Sequence, residues 1–260
     1  MNDRTTPATP PSSAIFDDTA EGYAATMAPS LRPVAREVVR RAALRPGERV
    51  LDVGCGTGIA AAAAHAAGAE VVGLDGASGM IAIARREVPG VDFRVGDFNA
   101  LPFEDRAFDV VISSHALLFA DDRVAALREW RRVCRAGGRL SLSVPGPEER
   151  TPGPLYAEVY RRHGVPRTFG YPVAAELAGW ARDAGWTEAS VDDDPTVAIR
   201  LPDADAFATW RSTGSRGAAT AGWSEEQHAA LTSDMLAVTP YESNDGYAIP
   251  FGAFYLTAWN

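Results

Sequence analysis

The chain has 260 residues, 46% of them hydrophobic and 23% charged, enough apolar material for one large domain or two small ones. A net charge of −9 and a pI near 5.0 argue against the basic face that nucleic-acid phosphates need. All 25 basic residues are arginine, so neither a phosphate-binding Walker lysine nor a Schiff-base lysine is available.

In chain order, MNDRTTPATPPSS lacks the apolar core of a signal peptide and reads as a disordered leader over 1–13. Helix is expected over Ile15–Ala43, with a break near Pro29–Pro33. The β-branched run Val50–Val53 predicts a strand, followed by a turn of Gly54, Cys55, Gly56, Thr57 and Gly58. Alanine-rich Ile59–Ala67 predicts a helix that Gly68 ends. Ala69–Leu74 predicts a second strand that stops on Asp75. Then come helix Ser78–Glu87, strand Val91–Val95 and strand Phe108–Ser113. Helix Val124–Arg135 follows, closed by Gly137 and Gly138, and then strand Arg139–Val144. Pro145–Pro154 marks a change of organisation. Helices are expected at Leu155–His163, Ala174–Ala184, Asp203–Thr213 and Ser224–Val238, with strands at Ser190–Arg200 and Ala253–Trp259. The βα alternation implies an α/β fold with a mostly parallel sheet and helices on both faces.

The alanine-rich stretch Ile59–Ala69 is too short and too weakly apolar to cross a bilayer. The two cysteines, Cys55 and Cys134, make neither a disulfide framework nor a metal site, and a reduced cytoplasmic setting is expected. The four histidines show no paired ligand spacing, so no metal is expected.

The strand–glycine turn–helix–strand–acid order at 49–75 is the front of a nucleotide-binding βαβ unit. A dinucleotide site wants G-x-G-x-x-G; this chain has G-x-G-x-G, with Ile59 where that third glycine would fall. The alternative to any ligand is a tight turn with a purely structural role.

VLDVGCGTG followed by GLD resembles the first two motifs of the class I S-adenosylmethionine-dependent methyltransferases. VGDFNALPFEDRAFDVVISS (95–114) resembles that family's next two motifs. LREWRRVCRAGGRLSLSVP (127–145) resembles the helix, turn and fifth strand after them, with CRAGG for the more usual L-K-P-G-G. The likeness is strong over 14–146 and looser beyond. It implies a Rossmann-like seven-stranded sheet with an antiparallel last strand, and a helical cap over the cofactor. The expected organisation is one such domain over 14–260, with cap segments at 14–43, 145–171 and 203–238. The implied cofactor is S-adenosyl-L-methionine, leaving S-adenosyl-L-homocysteine as product.

By position, the resemblance places Asp52 beside the glycine turn, and Gly54, Cys55 and Gly56 against the cofactor. Asp75, followed by Gly76, is implied as the ribose acid. Met80 is implied on the adenine face, or else in the core. Asp97 and Phe98 correspond to the adenine edge, and Ser113 and Ser114 to the amino group. Tyr23 is either a lid over the methionine moiety or a helix-packing residue.

Methyl transfer requires an unprotonated nucleophile in line with the donor. His115 directly follows the fourth strand and is the candidate base; its other reading is a structural, backbone-bonded histidine. His163 is a second candidate, whereas His65 and His228 read as structural or solvated. Aromatic residues of the cap, Phe169 and Trp210 among them, line a substrate pocket or form the cap's own core. The expected partner is a small apolar or aromatic methyl acceptor, methylated on O, C or N, and not a nucleic acid. Other functional classes stay open: a protein that binds the cofactor without transferring methyl, such as a cyclase or sensor, and a nicotinamide-dependent oxidoreductase.

Overall fold

The computed structural model of the chain describes residues 12–166, 171–242 and 246–260. The N-terminal helical region is two helices, α1 (Ser12–Asp17) and α2 (Ala20–Ala42). α1 begins inside the segment expected as a leader. α2 runs unbroken through Pro29 and Pro33, and the interruption falls at 18–19 instead. Both prolines lie on the exposed face, where water can satisfy the carbonyls left without an N–H partner. The opposite face buries Met27, Leu31, Val34, Ala35, Val38 and Val39 against the sheet, which outweighs the lost bonds.

The central unit is β1 (Arg49–Val53), α3 (Ile59–Ala66), β2 (Glu70–Asp75), α4 (Ser78–Glu87) and β3 (Asp92–Val95). β4 (Phe108–Ser114), α5 (Arg123–Val133) and β5 (Cys134–Pro145) follow. β5 starts directly at the end of α5. Gly137 and Gly138 therefore lie inside the strand, where the pairing with β4 slips, and do not close the helix. Next come α6 (Pro152–His163), α7 (Ala174–Asp183), β6 (Thr187–Asp194) and β7 (Ala198–Leu201). The segment expected as one strand over 190–200 is thus two strands in different sheets. They part where the Asp194 carboxylate accepts from the amide and hydroxyl of Thr196.

The last elements are α8 (Ala204–Arg211), α9 (Gly214–Ala219) and α10 (Glu225–Val238), then β8 (Tyr241–Glu242), β9 (Gly246–Pro250) and β10 (Ala253–Trp259). The seven-stranded sheet has the order β3-β2-β1-β4-β5-β10-β6. β10 pairs antiparallel with both neighbours, β5 and β6, and the other pairings are parallel. A separate sheet, β7-β9-β8, went unread in the sequence, as did α9.

Alternation along each strand divides the core. Val50, Val110 and Ile112 face α2 and α3, whereas Leu51, Val53, Val111, Leu140 and Leu142 face α5 and α7. Strand order reverses between β2-β1 and β4, so a crevice opens at the carboxyl ends of β1 and β4. Cys55, Asp75 and His115 stand at that edge. A buried ion pair at the other end of the sheet fixes the frame. Arg139 holds Glu48 at 2.7 and 3.0 Å and also donates to the carbonyl of Ala42, the last residue of α2, and to that of Ala43 just after it.

Candidate active site

The turn after β1 is shaped by backbone torsions that favour glycine. Gly54 has φ of 67°, and a Cβ there would lie 2.2 Å from the Ala116 Cβ, so only glycine lets β4's loop come this close. Gly56 has φ of 53° and nothing within 4 Å of a would-be Cβ, an open face toward the crevice. Asp75 fixes the turn from β2: its carboxylate accepts from the Gly56 amide at 2.8 Å and the Ala77 amide at 2.9 Å. Burial raises its pKa, and those amides pull it partly back.

Asp52 lies fully buried on the α3 side of β1, and neither of its carboxylate oxygens has a hydrogen-bond partner. Burial pushes its pKa up to about 7. Cys55 is also buried, and its thiol is pushed well up by burial and by the charges of Asp52 and Asp75, so it is a packing residue and no thiolate.

Above the turn is a cavity of about 550 Å3. Of the residues singled out in the sequence, Tyr23, Gly54, Gly56, Asp75, Gly76, Met80, Phe98, Ser114 and His115 line it. The others stand off its wall. Asp52 and Cys55 sit beneath the turn. Ser113 is fully buried and donates to the Val53 carbonyl at 2.8 Å. Asp97 is exposed, and its carboxylate accepts from the amide and side chain of Asn99. His163 pairs with Asp234 at 2.9 Å, joining α6 to α10. Trp210 is core of the cap: fully buried, it packs on Tyr156 and Phe207 and directs its indole N–H at the Met27 sulfur. Phe169 lies outside the described residues.

His115 has φ of 63°, a left-handed conformation uncommon for a side-chain-bearing residue. Its amide donates to the Ser143 carbonyl and its Nδ1 lies 2.8 Å from the Ser143 hydroxyl, so β5 holds both backbone and ring. The ring stacks on Phe251 at 5.4 Å. Nε2 is buried without a partner, and burial lowers the pKa to about 3. The ring is therefore neutral across the physiological range, and it is a weak proton acceptor.

The remaining wall comes from segments distant in sequence. Phe16 of α1 meets Tyr23 edge-on at 6.1 Å and Phe119 at 5.1 Å. α1 is tied down by Asp17, whose carboxylate accepts from the Gly79 amide at 2.7 Å and the Ser78 hydroxyl at 3.0 Å. Tyr160 and Tyr171 come from α6 and the segment after it, Arg216 from α9, and Phe251 from the stretch before β10. Sequence reading passed over Phe16, Phe119, Phe251 and Arg216. The available signal for Arg216 is that it is the one charged residue between Arg211 and Glu225. Burial and the Asp75 charge push the Tyr23 hydroxyl up to about 12, so it stays protonated.

A glycine turn with open space above it, an acid at the end of β2 and an apolar cavity beyond define an α/β protein that binds a nucleoside-bearing cofactor at its switch point. The family described as "Methyltransferase domain" matches residues 51–142. The chain is 33% identical over 202 residues to the demethylmenaquinone methyltransferase of Renibacterium salmoninarum, covering 68% of this chain and 84% of that one. It is 36% identical over 211 residues to that of Beutenbergia cavernae, covering 78% and 83%. Among solved structures, the [4+2]-cyclase SpnF aligns with a TM-score of 0.60 and 25% identity over 88% of this chain and 81% of that one. Phosphoethanolamine N-methyltransferase 2 of Haemonchus contortus aligns with a TM-score of 0.63 at 18% identity, over 98% of this chain and 61% of that one.

The chain belongs to the class I S-adenosylmethionine-dependent methyltransferases. S-adenosylmethionine is its cofactor. The residues present fit that cofactor: the space over Gly56 is clear, and Asp75 reaches the cavity with lone pairs to spare.

Proposed function

We propose that the chain methylates a quinol-like or other aromatic metabolite held between the glycine turn and the helical cap. The observation that carries this reading is one cavity with two kinds of wall, Gly56 and Asp75 on one side and His115, Phe251 and the cap aromatics on the other. The names of the curated relatives, demethylmenaquinone methyltransferases, point to the same acceptor chemistry.

In this reading Asp75 accepts from the ribose hydroxyls, and Gly54 and Gly56 let the backbone come close to the cofactor. Met80 and Phe98 flank the adenine. Asp97 stands at the adenine edge, and the main chain of Ser113 and Ser114 meets the amino group. Asp52 and Cys55 support the turn from below, and Tyr23 closes the site from α2. The bound cofactor supplies an electrophilic methyl group on sulfur.

His115 positions the acceptor. With Nδ1 accepting from the Ser143 hydroxyl, Nε2 carries the proton and donates to an acceptor oxygen; with the hydroxyl turned away, Nε2 accepts from an acceptor hydroxyl. Either way the neutral ring fixes the nucleophile's orientation in a water-poor cavity. The low pKa makes this positioning role stronger than full proton abstraction. An acceptor already ionised, or a carbon activated by a ring hydroxyl, needs no stronger base.

The test is turnover: purified protein with S-adenosylmethionine and a panel of naphthols, hydroquinones and naphthoquinols, reading S-adenosylhomocysteine release and product mass. Release coupled to a methylated ring supports the reading. The likeness to SpnF keeps a second reading in view, a protein that binds the cofactor without consuming it. Tight S-adenosylhomocysteine binding with no methylated product from any acceptor class would favour that second reading.

A further inference from the structure

The cap side of the cavity holds a buried cation that takes no part in the methyl transfer described above. Arg216 stands on α9, its guanidinium carbon 4.2 Å from the centre of the Trp210 ring. Its Nε and Nη2 reach only the Trp210 carbonyl, at 3.4 and 3.3 Å. Among the described residues no carboxylate pairs with it and nothing hydrogen-bonds to Nη1. Burial lowers its pKa, and the groups opposing that are the hydroxyls of Tyr160, Tyr171, Tyr156 and Tyr23, in that order. The guanidinium lies over Trp210, which packs on Tyr156 and Phe207 of the cap, so the cation sits against the cap wall of the cavity.

A second arginine stands behind the first. Arg211 is buried, with its Nη2 2.9 Å from the His228 ring and its Nε unpartnered, and again no carboxylate among the described residues meets it. A recess of about 30 Å3 has both arginines in its wall. In a chain of net charge −9 the two guanidiniums form a local positive lobe that no carboxylate among the described residues pairs with. A desolvated guanidinium is costly unless an anion meets it.

We infer that Arg216 recognises a carboxylate on the methyl acceptor, so that the substrate class is an aromatic or apolar acid. This rests on the cavity being the acceptor site of a methyltransferase. A guanidinium matches a carboxylate in shape and charge, and charge-assisted bonds gain strength where water is excluded. Trp210 holds the guanidinium in place from beneath, which gives the buried tryptophan a supporting role. Arg216 touches the acceptor at a distance from the reacting atom and acts as a specificity residue.

The experiment uses an isosteric pair, 2-naphthoate and 2-naphthamide, which differ in charge and hardly in size. Each is titrated calorimetrically into the full chain saturated with S-adenosylhomocysteine. The naphthoate is expected to bind at least tenfold more tightly than the amide. Arg216→Gln is expected to abolish that preference, Arg216→Lys to keep part of it, and both variants to bind S-adenosylhomocysteine within twofold of the parent, which also certifies their folding. Equal affinity for the two probes, no binding of either, or an undiminished preference in Arg216→Gln would overturn the inference. So would a tenfold loss of S-adenosylhomocysteine affinity in Arg216→Gln, which would assign the guanidinium to the cofactor's own carboxylate. The same pair titrated without S-adenosylhomocysteine separates the two readings: a charge preference that depends on Arg216 survives there even if the cofactor assignment fails.

Discussion

The two ends of the cavity differ in the ionisable groups buried in or behind their walls. At the glycine turn stand Asp52 and Asp75, acids whose pKa values are raised by burial, and toward the cap stand Arg216, Arg211 and His115, bases whose values are lowered. The core of the glycine-turn end is contiguous chain, residues 49–77, whereas the cap end comes from α6, α9 and the loops after β4 and before β10. Both ends bury ionisable groups whose pKa values burial shifts, a pattern common at functional sites. The difference teaches that one end is a fixed cradle, while the other depends on how distant segments pack.

The largest effect expected is on the acid beneath the turn. Asp52 is protonated in the native state up to about pH 7, whereas the unfolded chain releases that proton near pH 4. Its contribution to stability is therefore complete below pH 4 and is lost as the pH rises to about 7, at roughly 1.4 kcal/mol per unit. Denaturant titrations of Asp52→Asn between pH 4 and 8 should show that slope removed. A slope equal to the parent's would mean the carboxylate is solvated or paired.

Gly54→Ala tests the seam between the two ends. The added Cβ meets Ala116, beside His115, and the φ of 67° disfavours any side chain. A loss of about 3 kcal/mol is expected, part strain and part overpacking. Ala116→Gly in the same chain should restore only the packing share, and full recovery would show the backbone to be unstrained.

Asp75→Ala should weaken S-adenosylhomocysteine binding about a hundredfold, since the bonds lost are charge-assisted. An unchanged dissociation constant would remove Asp75 from the cradle. His115→Gln should lower kcat about tenfold, the worth of one hydrogen bond, while cofactor affinity stays within twofold. With a pKa near 3 the imidazole should leave no inflection in the pH–kcat profile between 5 and 8. A bell with a limb near 6.5 would instead return the ring to the role of base.

The smallest effect belongs to the tether of α1. Asp17→Ala removes its bonds to Ser78 and Gly79, and S-adenosylhomocysteine should bind about fivefold more weakly, the worth of one helix cap. No change would separate α1 from the cofactor end.

What the sequence determined by itself is local. The glycine turn, the acid on β2 and the strands around them were legible because a β-strand, its turn and the next helix are specified within a few dozen residues by apolar runs and glycine torsions. The helix Ser78–Glu87 and the strand Ala253–Trp259 were read to the residue for the same reason. Tertiary packing decided the rest. It carried α2 through two prolines, because a buried face holds a helix together where local signals say break. It split 190–200 between two sheets, since the partners of a strand lie elsewhere in the chain. It sent Trp210 into the core and brought Arg216 to the cavity wall, and period alone cannot choose between those fates. Hydrophobic pattern tells a residue whether to be buried. Only the sheet order and the cap's packing tell it against what.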